Sequence, residues 1–421
     1  MSDKSNFIKY ANSFQAVAKL QLENIDKLTR LLGNPQDELK FIHIAGTNGK
    51  GSVCSFLQNI LTEAGFVTGK YTSPNMLRVN ERICVDGVEI PDGDLGRIME
   101  TVQEKAEIIK EETGDIPTQF EIWTAVAFCY FKERRCDYVV LETGLGGERD
   151  ATNIIKNPVM SIITQVARDH TEYLGETIFE IANAKAGIIK ESRYGGVTIT
   201  IPQDEEIIDV LKNKARAKEN TFIVAENVNL QGFNKFYEEF DYKDLKNLKI
   251  SLLGSHQAQN ASLAIEASKY LGIDDEHIIR GLEKAKNPGR LDIIRENPLT
   301  IFDGAHNKNG MSALSAFLKR CFSDEEICFI MGFMRDKDID GALEELTKNG
   351  YGKGNEVFTV CVSDNPRSAT AEELADIISK HDFKTTPCQS IKKAYEMALE
   401  LNKIIVICGS LYLYKDYFTI C

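Results

Sequence analysis

The stretch Phe41–Val53, FIHIAGTNGKGSV, reads as a buried strand, a glycine-rich turn and the opening of a helix. Gly46, Gly49 and Gly51 let the backbone take positive φ and aim successive N–H groups inward, and the helix starting near Ser52 adds its positive dipole end. That is the layout of a phosphate cradle. The nucleotide-binding candidates are therefore Thr47, Asn48, Gly49, Lys50, Gly51 and Ser52, with Lys50 reaching the β/γ-phosphates and the Ser52 hydroxyl ligating Mg²⁺. Gly51 stands between the lysine and the serine, so the strict G-x-x-x-x-G-K-[ST] pattern is not met. Taken alone, such a loop also serves as a plain tight connection from strand to helix.

Around this stretch the composition sets the bounds. A chain of 421 residues is long for one core and predicts two domains of unequal size. With 43% hydrophobic and 27% charged residues it is a globular rather than a disordered composition. The net charge of −13 and the lack of a basic run argue against a general nucleic-acid binder, which needs clustered Lys/Arg. MSDKSNFIKY carries no hydrophobic signal core, and no apolar run is long enough to span a bilayer, so a cytoplasmic protein is expected. Ten cysteines are scattered singly, without a C-x-x-C pair, and read as buried reduced thiols rather than as zinc ligands.

Along the chain, Tyr10–Leu32 has helical spacing that stops at Gly33, Asn34 and Pro35. Val67–Tyr71 predicts a second strand, leading into the polar segment TSPNMLRVNERI, a candidate binding loop. Helices are expected from Asp92 to about Glu112 and from Phe120 to Lys132, followed by the apolar strand Asp137–Leu141. Glu142 ends that strand ahead of the Gly144–Gly147 turn, where an open α/β sheet places ligand-binding groups, and a carboxylate there suits an Mg–nucleotide. Val159–Val166 is another strand, delivering Arg168, Asp169 and His170 into a loop. An isolated Asp-His pair is more often a cap and a core histidine than a metal site. Asn227–Lys249 reads as a peripheral excursion without chemistry, and His256–Tyr270 as a helix with Gln257 and Asn260 in its first turn. The break at Asn287–Gly289 marks the domain boundary. Beyond it, strands near Leu299–Phe302, Ile327–Met331, Val357–Val362 and Ile404–Cys408 alternate with helices, which predicts a second parallel-type sheet. Its first strand ends in the polar cluster Asp303–Asn307.

Ten ordered segments resemble the folylpolyglutamate synthase and dihydrofolate synthase family of the Mur ligase superfamily. They are AGTNGKGS (Ala45–Ser52), SPNMLRVNERI (Ser73–Ile83), ETGLGGERDATN (Glu142–Asn153), DHTEYLG (Asp169–Gly175), KAGIIK (Lys185–Lys190), GSHQAQNA (Gly254–Ala261), PGRLD (Pro288–Asp292), DGAHN (Asp303–Asn307), DKD (Asp336–Asp338) and GSLYL (Gly409–Leu413). The resemblance implies an α/β protein with an N-terminal P-loop ATP-binding domain over residues 1–289 and a smaller Rossmann-like glutamate ligase domain over residues 290–421. It implies an ATP-dependent amide ligase that activates a folate or dihydropteroate carboxylate as an acyl phosphate and joins it to the amine of L-glutamate. By motif match, Lys50 binds the phosphates, and Ser52, Ser73, Glu142 and His170 surround Mg²⁺. Asn260, Arg290 and Asp303 complete the nucleotide set, His306 lies on the glutamate side, and Lys185 is the position of a carbamylated lysine. A monomer with small-molecule partners, no nucleic acid and no membrane is expected.

Asn75 stands where the family usually has histidine, Glu148 and Arg149 alter the usual GGRLDATN, and Ala184 replaces a glutamate before Lys185. These departures touch the pterin pocket and the surroundings of the lysine. The competing readings are a ligase acting on a cell-wall nucleotide precursor, which SPNMLRVNERI and DGAHN disfavour, and a P-loop regulatory ATPase.

Overall fold

The computed structural model describes residues 21–234, 236–352, 354–363 and 365–420. The expected first helix therefore lies partly outside the described residues; its described part is the helix Glu23–Leu31, and the chain turns at Gly33 and Asn34, both with positive φ. The chain forms two compact units that interleave along the sequence. One takes the described residues of Met1–Asn229 with Asp241–Leu248 and Gln259–Ala285; the other takes Leu230–Phe240, Lys249–Ala258 and Lys286–Cys421.

In the first unit, eight strands run β1 Phe41–Ala45, β2 Thr68–Tyr71, β3 Ile83–Val85, β4 Val88–Glu89, β5 Tyr138–Glu142, β6 Met160–Ile163, β7 Val197–Thr200 and β8 Thr221–Val224. Their order in the sheet is β4-β3-β2-β5-β1-β6-β7-β8. The six strands from β2 to β8 in that order are parallel, while β3 and β4 turn back as an antiparallel edge. All five residues of β1 are buried, as expected of a central strand covered on both faces. The helices Asp92–Thr113 and Gln119–Glu133 contribute Ile98, Met99, Trp123 and Phe128 to one core with Phe41, Tyr71 and Leu141. A second core joins Ala45 and Ile163 to Ile181 and Ala182 of the helix Ile178–Ala186 and to Ile207 and Leu211.

The segment expected as a peripheral excursion folds as β9 Asn229–Phe233, β10 Glu238–Tyr242 and β11 Leu245–Ile250, ordered β11-β10-β9. It holds a fully buried carboxylate: Glu238 accepts the Gly254 N–H at 2.7 Å and pairs with Arg320 of the helix Lys308–Phe322. The Arg320 guanidinium also lies 4.3 Å from the centre of the Phe233 ring. Removing either partner would strand the other charge, which makes this a fixed attachment inside the second unit.

The second unit is built on β12 Asp292–Glu296, β13 Leu299–Phe302, β14 Ile327–Met331, β15 Glu356–Thr359, β16 Lys384–Pro387 and β17 Ile404–Cys408, in the order β12-β13-β17-β14-β15-β16. Only β12 is antiparallel. The sequence pattern leaves out β12 and β16 because both are edge strands with half-exposed, polar-rich residues, and β16 ends in a proline that an edge tolerates. Among the described residues no helix is long and apolar enough to cross a membrane. The described cysteines are free thiols, six of them buried and Cys361 exposed.

Candidate active site

Parallel register brings four strand ends to one edge of the first sheet. Ile44 stands opposite Glu142, Ala45 opposite Ile163 and Tyr71 opposite Leu141, so the chain leaves β1, β5, β6 and β2 at neighbouring points. Those exits deliver Gly46, Glu142, Thr164 and Ser73, where an open α/β sheet binds its ligand.

The glycine loop is clasped by the segment after β6. The Thr47 N–H donates to the Gln165 carbonyl at 2.7 Å, the Thr47 hydroxyl donates to the Ala167 carbonyl at 2.9 Å and accepts the Ala167 N–H at 3.0 Å. The Thr164 hydroxyl donates to the Asn48 carbonyl at 2.7 Å. Gly46 and Gly49 have φ of 153° and 89°, and neither position has room for a Cβ: one at 46 would lie 1.8 Å from Thr164 Oγ1, one at 49 would lie 2.5 Å from Asn260 Oδ1. Asn260 thus abuts the loop, and Thr47 has its hydroxyl engaged in bracing. Gly49 caps the helix Lys50–Glu63, whose first turn holds Gly51 and the buried Ser52. The Lys50 amine bends back to the loop and donates to the Gly46 and Thr47 carbonyls at 3.1 and 3.4 Å.

A second amine reaches the same carbonyl. Lys185 is buried, and its Nζ donates to Gly46 O at 2.9 Å. Its helix is fixed at the start by a capping box between Thr177 and Glu180 and at the end by close backbone approach, since the Glu148 N–H donates to the Ala184 carbonyl at 2.8 Å. A Cβ on Gly147 would lie 2.8 Å from the carbonyls of Ala184 and Lys185, so the GLGG turn is glycine there for clearance. Burial, with the Lys50 charge adding to it, pulls the Lys185 amine down to about 7, against the opposing carboxylates of Asp169 and Asp150.

Glu142 is buried and its Oε2 accepts the Ser73 N–H at 3.1 Å, joining two of the candidate metal ligands. His170 takes positive φ in the loop after β6; its N–H donates to Asp169 Oδ1 at 2.9 Å and its side chain is 44% exposed. It is therefore not a core histidine. A buried carboxylate and serine hydroxyls are hard oxygen donors that fit Mg²⁺. No cluster of three His, Cys, Asp or Glu occurs among the described residues, so phosphate and water oxygens would have to complete the shell.

In the second unit the remaining candidates gather at the end of β13. Both Asp303 oxygens hold backbone: Oδ2 accepts from Leu291 N and Oδ1 from Ala305 N, each at 2.8 Å. Burial raises this carboxyl, and Arg290 opposes the rise. Asp303 thereby shapes the segment that carries Arg290 and His306. The His306 Nδ1–H donates to the Gly304 carbonyl at 2.8 Å, which places the ring proton on Nδ1. Asp292 fixes the preceding turn through the Gly289 N–H at 3.1 Å and the Tyr414 hydroxyl at 2.9 Å.

DATN has no role legible in its local pattern; the structure makes it a tie next to the GLGG turn. The buried Asp150 accepts the Leu145 N–H at 2.8 Å and the Thr152 hydroxyl at 2.6 Å, and Thr152 Oγ1 is 2.8 Å from His43 Nε2 beneath β1. Asn153 donates to the Glu148 and Gly187 carbonyls, and Lys190 donates to the Ile155 carbonyl at 2.6 Å. Clustered small polar residues next to a glycine turn were the available signal.

Residues 44–268 match the Mur ligase middle domain and residues 289–411 the Mur ligase glutamate ligase domain. The chain is 34% identical over 411 residues to a dihydrofolate synthase/folylpolyglutamate synthase of Bacillus subtilis, covering 94% of this chain and 93% of that protein. It is 33% identical to a folylpolyglutamate synthase of Lacticaseibacillus casei, with 96% of each covered. The structure of a Mycobacterium tuberculosis folylpolyglutamate synthase complexed with ADP and AMPPCP superposes with a TM-score of 0.90 at 27% identity, covering 99% of this chain and 98% of that one. Together with the loop, strand-end and DGAHN geometry, these matches show that the chain belongs to the folylpolyglutamate/dihydrofolate synthase family of Mur ligases.

Proposed function

We propose that the protein is an ATP-dependent ligase that forms an amide between L-glutamate and a folate-type carboxylate, dihydropteroate or a reduced folate, as a cytoplasmic monomer. The observation that carries the reading is the braced glycine loop with Lys50, Ser52, Ser73 and Glu142 at one sheet edge, in a chain of this family. Family membership favours it over a cell-wall precursor ligase and over a regulatory ATPase.

Bound ATP with Mg²⁺ supplies the phosphoryl group that makes the substrate carboxylate an electrophile, as an acyl phosphate. The protein then has mainly to position and to neutralise charge. Loop N–H groups and Lys50 bind the phosphates. Ser52, Ser73, Glu142 and His170 hold the metal, directly or through water. Lys185, as a carbamate, changes from a cation to an anion on that side of the loop. Asn260, Arg290 and Asp303 serve the nucleotide, and His306 orients the glutamate. In this reading residues 1–289 form the ATP-binding part and residues 290–421 the glutamate ligase part.

Phosphate release by the purified protein is expected only when glutamate and either dihydropteroate or tetrahydrofolate are both present, with labelled glutamate entering the product. Turnover independent of both substrates would overturn the ligase reading. Replacing Glu142 or His170 by alanine is expected to raise the Mg²⁺ needed for half-maximal rate by about tenfold or more. The buried Glu142 should show the larger effect. Unchanged magnesium titrations in both variants would remove the shared site.

A further inference from the structure

The glycine loop is held from one strand further out than its own neighbours. Strand β6 lies between β1 and β7, and Ile163 stands opposite Thr200 in that register. Beyond Thr200, just ahead of the helix Glu205–Ala217, Gln203 turns its amide back over the chain leaving β6. Its Oε1 accepts the Val166 N–H at 2.9 Å, and its Nε2 donates to the Thr200 hydroxyl at 2.8 Å and to the Thr164 carbonyl at 3.4 Å. The Thr200 oxygen is free to accept because its own proton goes to the Ile163 carbonyl at 2.9 Å. Each end of the amide therefore faces the complementary group, which fixes its orientation.

These contacts fall on the segment that clasps the loop. Val166 sits between Gln165, whose carbonyl takes the Thr47 N–H at 2.7 Å, and Ala167, whose N–H and carbonyl both meet the Thr47 hydroxyl. Thr164, at the other end of the clasp, donates its hydroxyl to the Asn48 carbonyl at 2.7 Å. Gln203 thus holds at Thr164 and Val166 the same short segment that Thr47 and Asn48 engage from the loop. Val166 is buried, so without the glutamine its N–H has little access to water, and the segment must shift to find another partner. Gln203 lies outside every segment that carries the family resemblance.

We infer that Gln203 is a positioning residue for the nucleotide: by holding Thr164–Ala167 it keeps the glycine loop in the shape that meets the phosphates. This rests on the ATP-dependent ligase reading above. A loop shaped before binding costs the nucleotide little ordering, so Gln203 acts on nucleotide affinity rather than on the chemical step or on glutamate binding.

Gln203→Met, which keeps the reach and removes both polar ends, and Gln203→Glu, which keeps the acceptor and loses the donor, test it in the full chain. For Gln203→Met the expected result is a Kd for Mg–ADP by calorimetry and a KM for ATP each raised by about tenfold, with kcat at saturating ATP and the KM for glutamate within about twofold of wild type. Gln203→Glu should fall between the two, since its carboxylate still accepts the Val166 N–H. Hydrogen exchange at the Thr47 and Val166 amides should speed up by about tenfold in Gln203→Met. Added to Thr47→Val, Gln203→Met should weaken Mg–ADP binding by about twofold or less, because both changes release one clasp. Unchanged nucleotide affinity, unchanged exchange at these amides, a full independent effect in the Thr47→Val background, or a joint fall of kcat, glutamate affinity and Tm would each overturn the assignment. If the wild type joins glutamate to neither dihydropteroate nor tetrahydrofolate, the ligase reading fails, while the Mg–ADP titration still decides the role of Gln203.

Discussion

Lys50→Ala is expected to lower kcat for glutamate addition by about 10³-fold while leaving the fold intact. The two halves of that expectation come from different observations. Lys50 is half-buried and its amine bonds only weakly placed carbonyls of its own loop, Gly46 and Thr47, so its loss removes little packing. The loop itself is held by Thr47, Thr164 and the clearance at Gly46 and Gly49, none of which needs the lysine. Tm should therefore shift by less than about 3 °C. The charge is a different matter, because few other groups are placed to meet the developing charge on the transferring phosphoryl group. Rates at saturating ATP and a thermal melt separate the two. Near-normal turnover in the variant would mean that the loop does not cradle phosphate.

Lys185→Ala should cost about 10²-fold or more in rate, with short carboxylates such as acetate or formate restoring part of it. The structure supplies a reason that a helical lysine in sequence does not. A lysine titrating at its ordinary 10.5 is neutral in roughly one molecule in 3,000 at pH 7, whereas an amine held near 7 is neutral in about half. Only the neutral amine can attack CO₂, forming the N–C bond of a carbamate and releasing a proton to solvent. At fixed dissolved ¹³CO₂, the ratio of carbamate to unmodified lysine at position 185 should rise most steeply with pH below about 7, where the amine must also lose its proton, and keep rising less steeply above it, because carbamate formation itself releases a proton. The sign is that of a cation destabilised by burial: the folded chain gives up this proton at lower pH than the unfolded one. In CO₂-free buffer, the stability this group contributes should accordingly rise with pH between 7 and 10.5. A ¹³C signal that stays absent across this range, together with full activity of Lys185→Ala, would remove the carbamate from the mechanism.

The sequence alone determined what neighbours along the chain determine. FIHIAGTNGKGSV folds as the strand Phe41–Ala45, a positive-φ turn and the helix Lys50–Glu63, because glycine spacing and apolar continuity act within a dozen residues. The strands ending at Glu142 and before Asp303 were legible for the same reason, as were both parallel sheets. Edge strands such as Asp292–Glu296 and Lys384–Pro387 were not, since an edge leaves polar residues half-exposed and erases the pattern. Only the tertiary structure decided how the candidates are spent. Lys185 meets the Gly46 carbonyl across 139 residues, and Thr47 meets Ala167 across 120. Burial and charge at such points depend on which distant segments the sheet register brings together, and no local pattern encodes that register. For the same reason Asp303 proved to hold backbone with both oxygens, and Glu238, in a stretch without any motif, proved to be a fully buried half of an ion pair.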